Sequence, residues 1–101
     1  MKKEIIRQGD ILLVPTSKKY EFNAKGMATL AFGEVSGHSH RIQNASFVRG
    51  ENGLAQALVL EELQELVHEE HDTKIIPAKQ LYEIRVQRRV SALGEVRKVM
   101  D

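Results

Sequence analysis

The stretch Tyr82-Glu83-Ile84-Arg85-Val86-Gln87-Arg88-Arg89-Val90 decides the fold class. In an extended chain Tyr82, Ile84, Val86 and Val90 share one face, while Glu83, Arg85, Gln87 and Arg89 share the other. That period of two is the signature of a half-buried strand. Arg88 interrupts the apolar face and is expected at its rim. Ser91-Ala92-Leu93-Gly94 then reads as a turn, and Glu95-Val96-Arg97-Lys98-Val99 as the returning strand of a hairpin. Arg85, Arg88, Arg89, Arg97 and Lys98 gather on this hairpin. They alternate with apolar residues and with Glu83 and Glu95, so they read as a solvated face rather than a ligand patch.

The same punctuation continues upstream. Lys74-Ile75-Ile76 is a short strand closed by Pro77. Ile11-Leu12-Leu13-Val14, framed by Gly9-Asp10 and Pro15, reads as a buried strand. Thr16 to Gly26 is polar and reads as a surface loop or a weak hairpin. Met27 to Phe32, His38 to Ile42 and Ala45 to Val48 are further strand candidates, the last ended by Gly50-Glu51-Asn52-Gly53. Leu54 to Glu70 is ambiguous. It is rich in helix formers, yet it lacks a clean helical stripe, and Leu58-Val59-Leu60 and Leu66-Val67 fit two short strands. The expected fold is mostly β: a small single-domain β-barrel or roll of short antiparallel strands, with at most one helix, between Leu54 and Glu70.

Composition narrows the function classes. A chain of 101 residues is one domain spanning residues 1–101, with 42% hydrophobic residues but only 5% aromatics and no Trp, so Leu, Ile, Val and Ala must build the core. The formal charge of +1 supplies no global field toward nucleic acid or acidic membrane. The absence of cysteine excludes a disulfide scaffold and any thiolate metal site. The basic start, Met1 to Arg7, has no apolar h-region, and the longest apolar runs are too short to span a bilayer, so a cytoplasmic protein is expected. Edge strands on so small a domain make a homodimer the expected assembly.

All four histidines fall in two tight clusters, Gly37-His38-Ser39-His40-Arg41 and Val67-His68-Glu69-Glu70-His71-Asp72. Imidazole is the commonest metal ligand, and two residues apart on a strand share a face. His38, His40, His68 and His71 are therefore the candidate ligands of a divalent metal: Zn, Fe, Mn or Ni. His68 and His71 meet on a helical turn but diverge on an ideal strand. Glu69 and Arg41 are the candidate catalytic residues beside them. Two other readings stay open. Paired histidines with Arg41 would suit a metal-independent nuclease or a nucleotide-binding protein. A non-catalytic phage or plasmid accessory protein binding a host partner would need neither. A shared pocket is the sharpest expectation: His38 or His40 together with His68 or His71, with Arg41 and Glu69 at its edge.

Gly33-Glu34-Val35-Ser36-Gly37-His38-Ser39-His40 partly resembles the first motif of the cupin superfamily, in which a glycine leads into His-x-His. The glutamate that follows in cupins has no counterpart in Ile42-Gln43-Asn44-Ala45. Pro77-Ala78-Lys79 lacks the glycine of the second cupin motif, and no histidine follows it. Over most of its length the chain resembles a group of small uncharacterised bacterial and phage proteins. The shared motifs are Gln8-Gly9-Asp10, Gly37 to Arg41, Leu66 to His71 and Gln87-Arg88-Arg89. That resemblance implies no particular activity.

Overall fold

An antiparallel sheet curls until its two ends nearly meet, and the histidines lie where they do. The computed structural model describes residues 4–32, 37–90 and 96–98. Its strands are β1 (Ile6–Gln8), β2 (Ile11–Pro15), β3 (Ala24–Phe32), β4 (Ser39–Arg49), β5 (Ala55–Leu60), β6 (Gln64–Val67), β7 (Lys74–Ile76), β8 (Tyr82–Val86), β9 (Arg88–Val90) and β10 (Val96–Lys98). No helix occurs among the described residues. Eight strands form one sheet in the order β1-β2-β8-β5-β4-β6-β7, with β3 paired to β4. β9 and β10 pair separately as a hairpin, Val90 opposite Val96. The fold is thus the mostly β, barrel-like single domain that the alternation around Tyr82 predicts.

β4 is the spine. β3 runs along one of its edges, while β6 and β5 share the other in succession: Arg41 and Ile42 face β6, and Ala45 to Arg49 face β5. The changeover falls at Asn44, whose φ of 54° is left-handed. Asparagine tolerates that region better than most residues. This local bend makes one kinked strand out of the two separate ones, His38 to Ile42 and Ala45 to Val48, that the sequence suggests.

Leu54 to Glu70 forms strands β5 and β6 rather than a helix. The helical propensity of its Leu, Ala, Glu and Gln is a weak preference. Burial overrides it: Ala57, Leu58, Leu60 and Leu66 are almost wholly enclosed when the segment lies against β4. The rest of the core comes from Ile11, Leu13, Leu30, Ile42, Phe47, Ile76 and Tyr82. Each such side chain removed from water stabilises the fold by about 1.5–3 kcal/mol.

Along β8 the burial predicted for one face fades. Tyr82 is buried, Ile84 packs on the core edge and Val86 is exposed. There Gln87 donates its N–H to the carbonyl of Asp10, and the chain passes into β9. Of the basic residues expected on the terminal hairpin, Arg85 lies instead on β8, bonded to Glu83 at 2.8 Å. The turn 91–94, the side chains of 88–98 and the motif segment 33–36 lie outside the described residues.

The loop between β2 and β3 is tied to β8 by the Tyr20 hydroxyl, which donates to Glu83 Oε2 at 2.7 Å. That bond first, and Arg85 second, hold the Glu83 carboxyl below the ordinary carboxylate range, while Glu83 raises the Tyr20 phenol. A lowered carboxyl stabilises the fold above its unfolded pKa and loses that contribution as pH falls through the folded value. Tyr20→Phe is therefore expected to move the Glu83 titration upward by NMR and to make the loop more sensitive to protease. An unchanged Glu83 titration would show that the hydroxyl bond is not the cause.

Candidate functional site

The ladder between β4 and β6 places the two histidine clusters side by side. Arg41 lies opposite Val67, so the residues just beyond, Ser39 and His40 on one side and His68 and Glu69 on the other, are neighbours. Gly37, at φ 86°, turns the chain into β4 in a conformation that favours glycine. His68 to Thr73 then bends between β6 and β7 instead of running straight. The bend brings both His68 and His71 to the same side, which an extended strand would not.

All four rings meet. His40 and His68 are 4.3 Å apart between centroids, His68 and His71 4.8 Å, His38 and His68 5.8 Å, and His40 and His71 5.9 Å. His40 is fully buried and His68 nearly so; His38 is about a quarter exposed. The sheet also delivers a residue that the histidine spacing does not reveal. Asp10, in the β1–β2 turn, is 4% exposed and holds Oδ1 3.5 Å from His40 Nε2. At the outer side Glu70 Oε2 stands 3.5 Å from His38 Nδ1.

Gln8 fixes the chemistry of His40. Its side-chain amide donates to the carbonyls of Leu66 at 2.9 Å and Asp72 at 3.0 Å. Both N–H groups are thereby used, so the atom facing His40 Nδ1 at 2.8 Å is the amide oxygen. An amide oxygen only accepts; His40 Nδ1 therefore carries the proton, and in the neutral ring Nε2 carries the lone pair. His68 has the opposite arrangement. The Glu70 N–H donates to His68 Nδ1 at 3.0 Å, which leaves the ring proton of neutral His68 on Nε2. His71 Nε2 is buried with no hydrogen-bond partner among the described residues.

Arg41 and Glu69, the candidate catalytic pair, bind each other at 2.7 Å. Glu69 also accepts the Ser39 N–H at 2.9 Å, and Arg41 donates to the Ser39 carbonyl and hydroxyl. The Ser39 N–H above all, with the Glu69 N–H and Arg41, holds the Glu69 carboxyl down at about 2. It is ionised at neutral pH and a poor base. The pair clips the 68–73 loop onto the start of β4 at the edge of the cluster.

The arrangement offers imidazole nitrogen and carboxylate oxygen and no sulfur. Two donor atoms bound to one tetrahedral ion stand about 3.4 Å apart, given metal–ligand distances near 2.1 Å. The His40–Asp10 separation of 3.5 Å matches such an edge. Among the described residues no three histidine or carboxylate side chains are already disposed about one point as ligands of a single ion. The His40 and His71 rings stand nearly parallel, at 11°. Three surface clefts are lined by other residues, and none contains a histidine.

Two side chains of the cluster, Gln8 and Asp10, are not signalled by the spacing of the histidines. Their only signal in the sequence is the Gln8-Gly9-Asp10 triplet, which reads as a turn before β2. Residues 7–87 match a family described as a domain of unknown function, DUF8820. No curated protein and no solved structure matches the chain.

Proposed function

The chain belongs to the DUF8820 family, and from that premise we propose that it binds a divalent metal at the histidine cluster. The observation that carries this reading is the Gln8–His40 bond. A ligating histidine typically donates its other ring N–H to an orienting acceptor, which fixes the tautomer, and Gln8 does this for His40. His40 Nε2, His71 Nε2 and Asp10 are the proposed inner ligands. His68 joins only if it releases the Glu70 N–H. The donor set suits Zn, Fe, Mn or Ni. When bound, such an ion supplies Lewis acidity or fixes the 68–73 loop.

The test is elemental analysis of protein purified without an affinity tag, with thermal unfolding in added Zn(II), Ni(II), Mn(II) and Fe(II). Near-stoichiometric metal and a raised midpoint are expected. No retained metal and no shift with any of the four would end the proposal.

The opposite tautomers of His40 and His68 also suit a metal-free base and acid pair. Arg41, the cation such a nuclease would use on phosphate, is already bound to Glu69, which favours the metal reading. A homodimer is the proposed assembly. Among the described residues β3 pairs only with β4, and Met27 and Phe32 on it are more than half exposed. A monomer in sedimentation at micromolar concentration would refute it.

A further inference from the structure

Charge on this chain is nearly balanced overall, but not locally. At the far end of β2 from Asp10 an open cleft of about 470 Å³ lies between the 16–22 segment and the 79–81 turn. Lys18, Lys19, Lys79, Tyr20, Phe22 and Gln80 line it. A five-residue strand spans roughly 17 Å, so the cleft is separate from the histidine cluster. We propose that this cleft binds single-stranded nucleic acid.

The cleft is built rather than accidental. Thr16 N–H donates to the Leu81 carbonyl at 3.0 Å, and the Gln80 amide donates to the carbonyls of Leu81 at 2.7 Å and Thr16 at 3.4 Å. The two bonds that involve Thr16 join its two walls. In the irregular segment between β2 and β3, Lys18, Tyr20 and Phe22 recur every second residue. All three line the cleft. Lys18 Nζ lies 5.5 Å from the centre of the Tyr20 ring, and Phe22 is 39% exposed.

Lysines beside aromatic rings, here the exposed Phe22 and the half-buried Tyr20, are the elements of sequence-tolerant strand binding, phosphate on ammonium and base on ring. Among the described residues none of Lys18, Lys19 and Lys79 is held in an ion pair. Glu83, the nearby carboxylate, is bonded to Tyr20 and Arg85, and Lys18 is close enough to help lower its pKa. Glu21 does not line the cleft. An acidic peptide would use the lysines but leave the aromatic faces unexplained.

Lys79 provides an independent observation. Its φ is 61°, a left-handed backbone that a lysine adopts at a cost and a glycine adopts freely. Its N–H is anchored to the Leu60 carbonyl at 2.7 Å. A strained backbone that puts a cation into a cleft is the kind of outlier that accompanies binding sites.

The test is fluorescence anisotropy of short fluorescein-labelled oligo(dT) and oligo(U), in chelator so that it is independent of the histidine site. Binding at micromolar protein is expected. Three lysine–phosphate contacts give a log–log salt slope of about −2, a loss of about 20-fold between 50 and 200 mM salt. Phe22→Ala is expected to weaken binding about tenfold, and Lys18→Glu with Lys19→Glu by about 30-fold or more. Lys79→Gly is expected to weaken binding several-fold while its unfolding midpoint stays or rises, because the glycine removes the backbone strain. Lys25→Glu, on β3, is the control for diffuse charge. No binding, a slope near zero, or equal weakening by Lys25→Glu would overturn the proposal. So would a Phe22→Ala variant that binds normally while inorganic polyphosphate competes as well as oligonucleotide, since that result describes an anion site.

Discussion

Replacing His40 by alanine is expected to abolish the metal response of this protein. With free metal at about a hundred times its dissociation constant, binding stabilises a folded state by about 2.7 kcal/mol. For a domain of this size that corresponds to roughly 10–20 °C in the unfolding midpoint. His40 is the proposed ligand whose Nδ1 is held by the Gln8 amide oxygen, which directs its Nε2 toward Asp10. The variant also has a cost without metal. His40 is fully enclosed, and its loss leaves a cavity and an unsatisfied Gln8 oxygen, about 1–3 kcal/mol of stability. His71→Ala separates the two effects. Its ring is half-buried and its Nε2 has no partner among the described residues, so the apo midpoint should hardly move while the metal shift is lost. If both variants respond to metal like the parent, the cluster is not the site.

Gln8→Leu is the second large effect. The leucine fills a similar volume but leaves the Leu66 and Asp72 carbonyls without their donor and His40 Nδ1 without its acceptor. Unsatisfied buried groups of this kind cost about 3 kcal/mol together, a drop of roughly 10–20 °C. Loss of an orienting partner also lowers metal affinity by about 10–100-fold. The decisive readout is the ¹⁵N spectrum of the His40 ring. The parent should show the Nδ1–H form, and the variant a mixture of tautomers. A parent ring protonated on Nε2 would mean that the Gln8 amide is turned the other way, and the proposed ligand assignment would fall with it.

Strands were legible wherever apolar residues alternate or run between turn residues, as at Ile11 to Val14 and Tyr82 to Val86. β1 was not, because Ile6-Arg7-Gln8 carries only one large apolar side chain. It becomes a strand through the Gly9-Asp10 turn and pairing with β2. The continuity of β4 was hidden by Gln43 and Asn44, polar residues that look like a break and act as a bend. In the site, the spacing of the histidines identified which residues would gather. It could not identify Gln8 and Asp10, whose importance arises only when β1 comes round to the 66–72 segment. Nor could it show that Arg41 and Glu69 satisfy each other, since that depends on the β4–β6 register.

The way the sheet closes has a consequence for motion. No backbone ladder joins β1 to β7 among the described residues. The Gln8 amide spans the gap in its place. A cylinder bridged at one gap by side chains, Gln8 and Asp10 among the described residues, where the joins along the rest of the path are rows of main-chain bonds, has a defined place of first opening. Local openings of this kind are read by amide hydrogen exchange. The β1 amides should exchange fastest among the sheet strands, and the 66–72 amides with them, while β4 and β5 wait for global unfolding. A ligand bridging Asp10 to the loop histidines would bolt that gap from a second side and slow exchange there before anywhere else in the sheet.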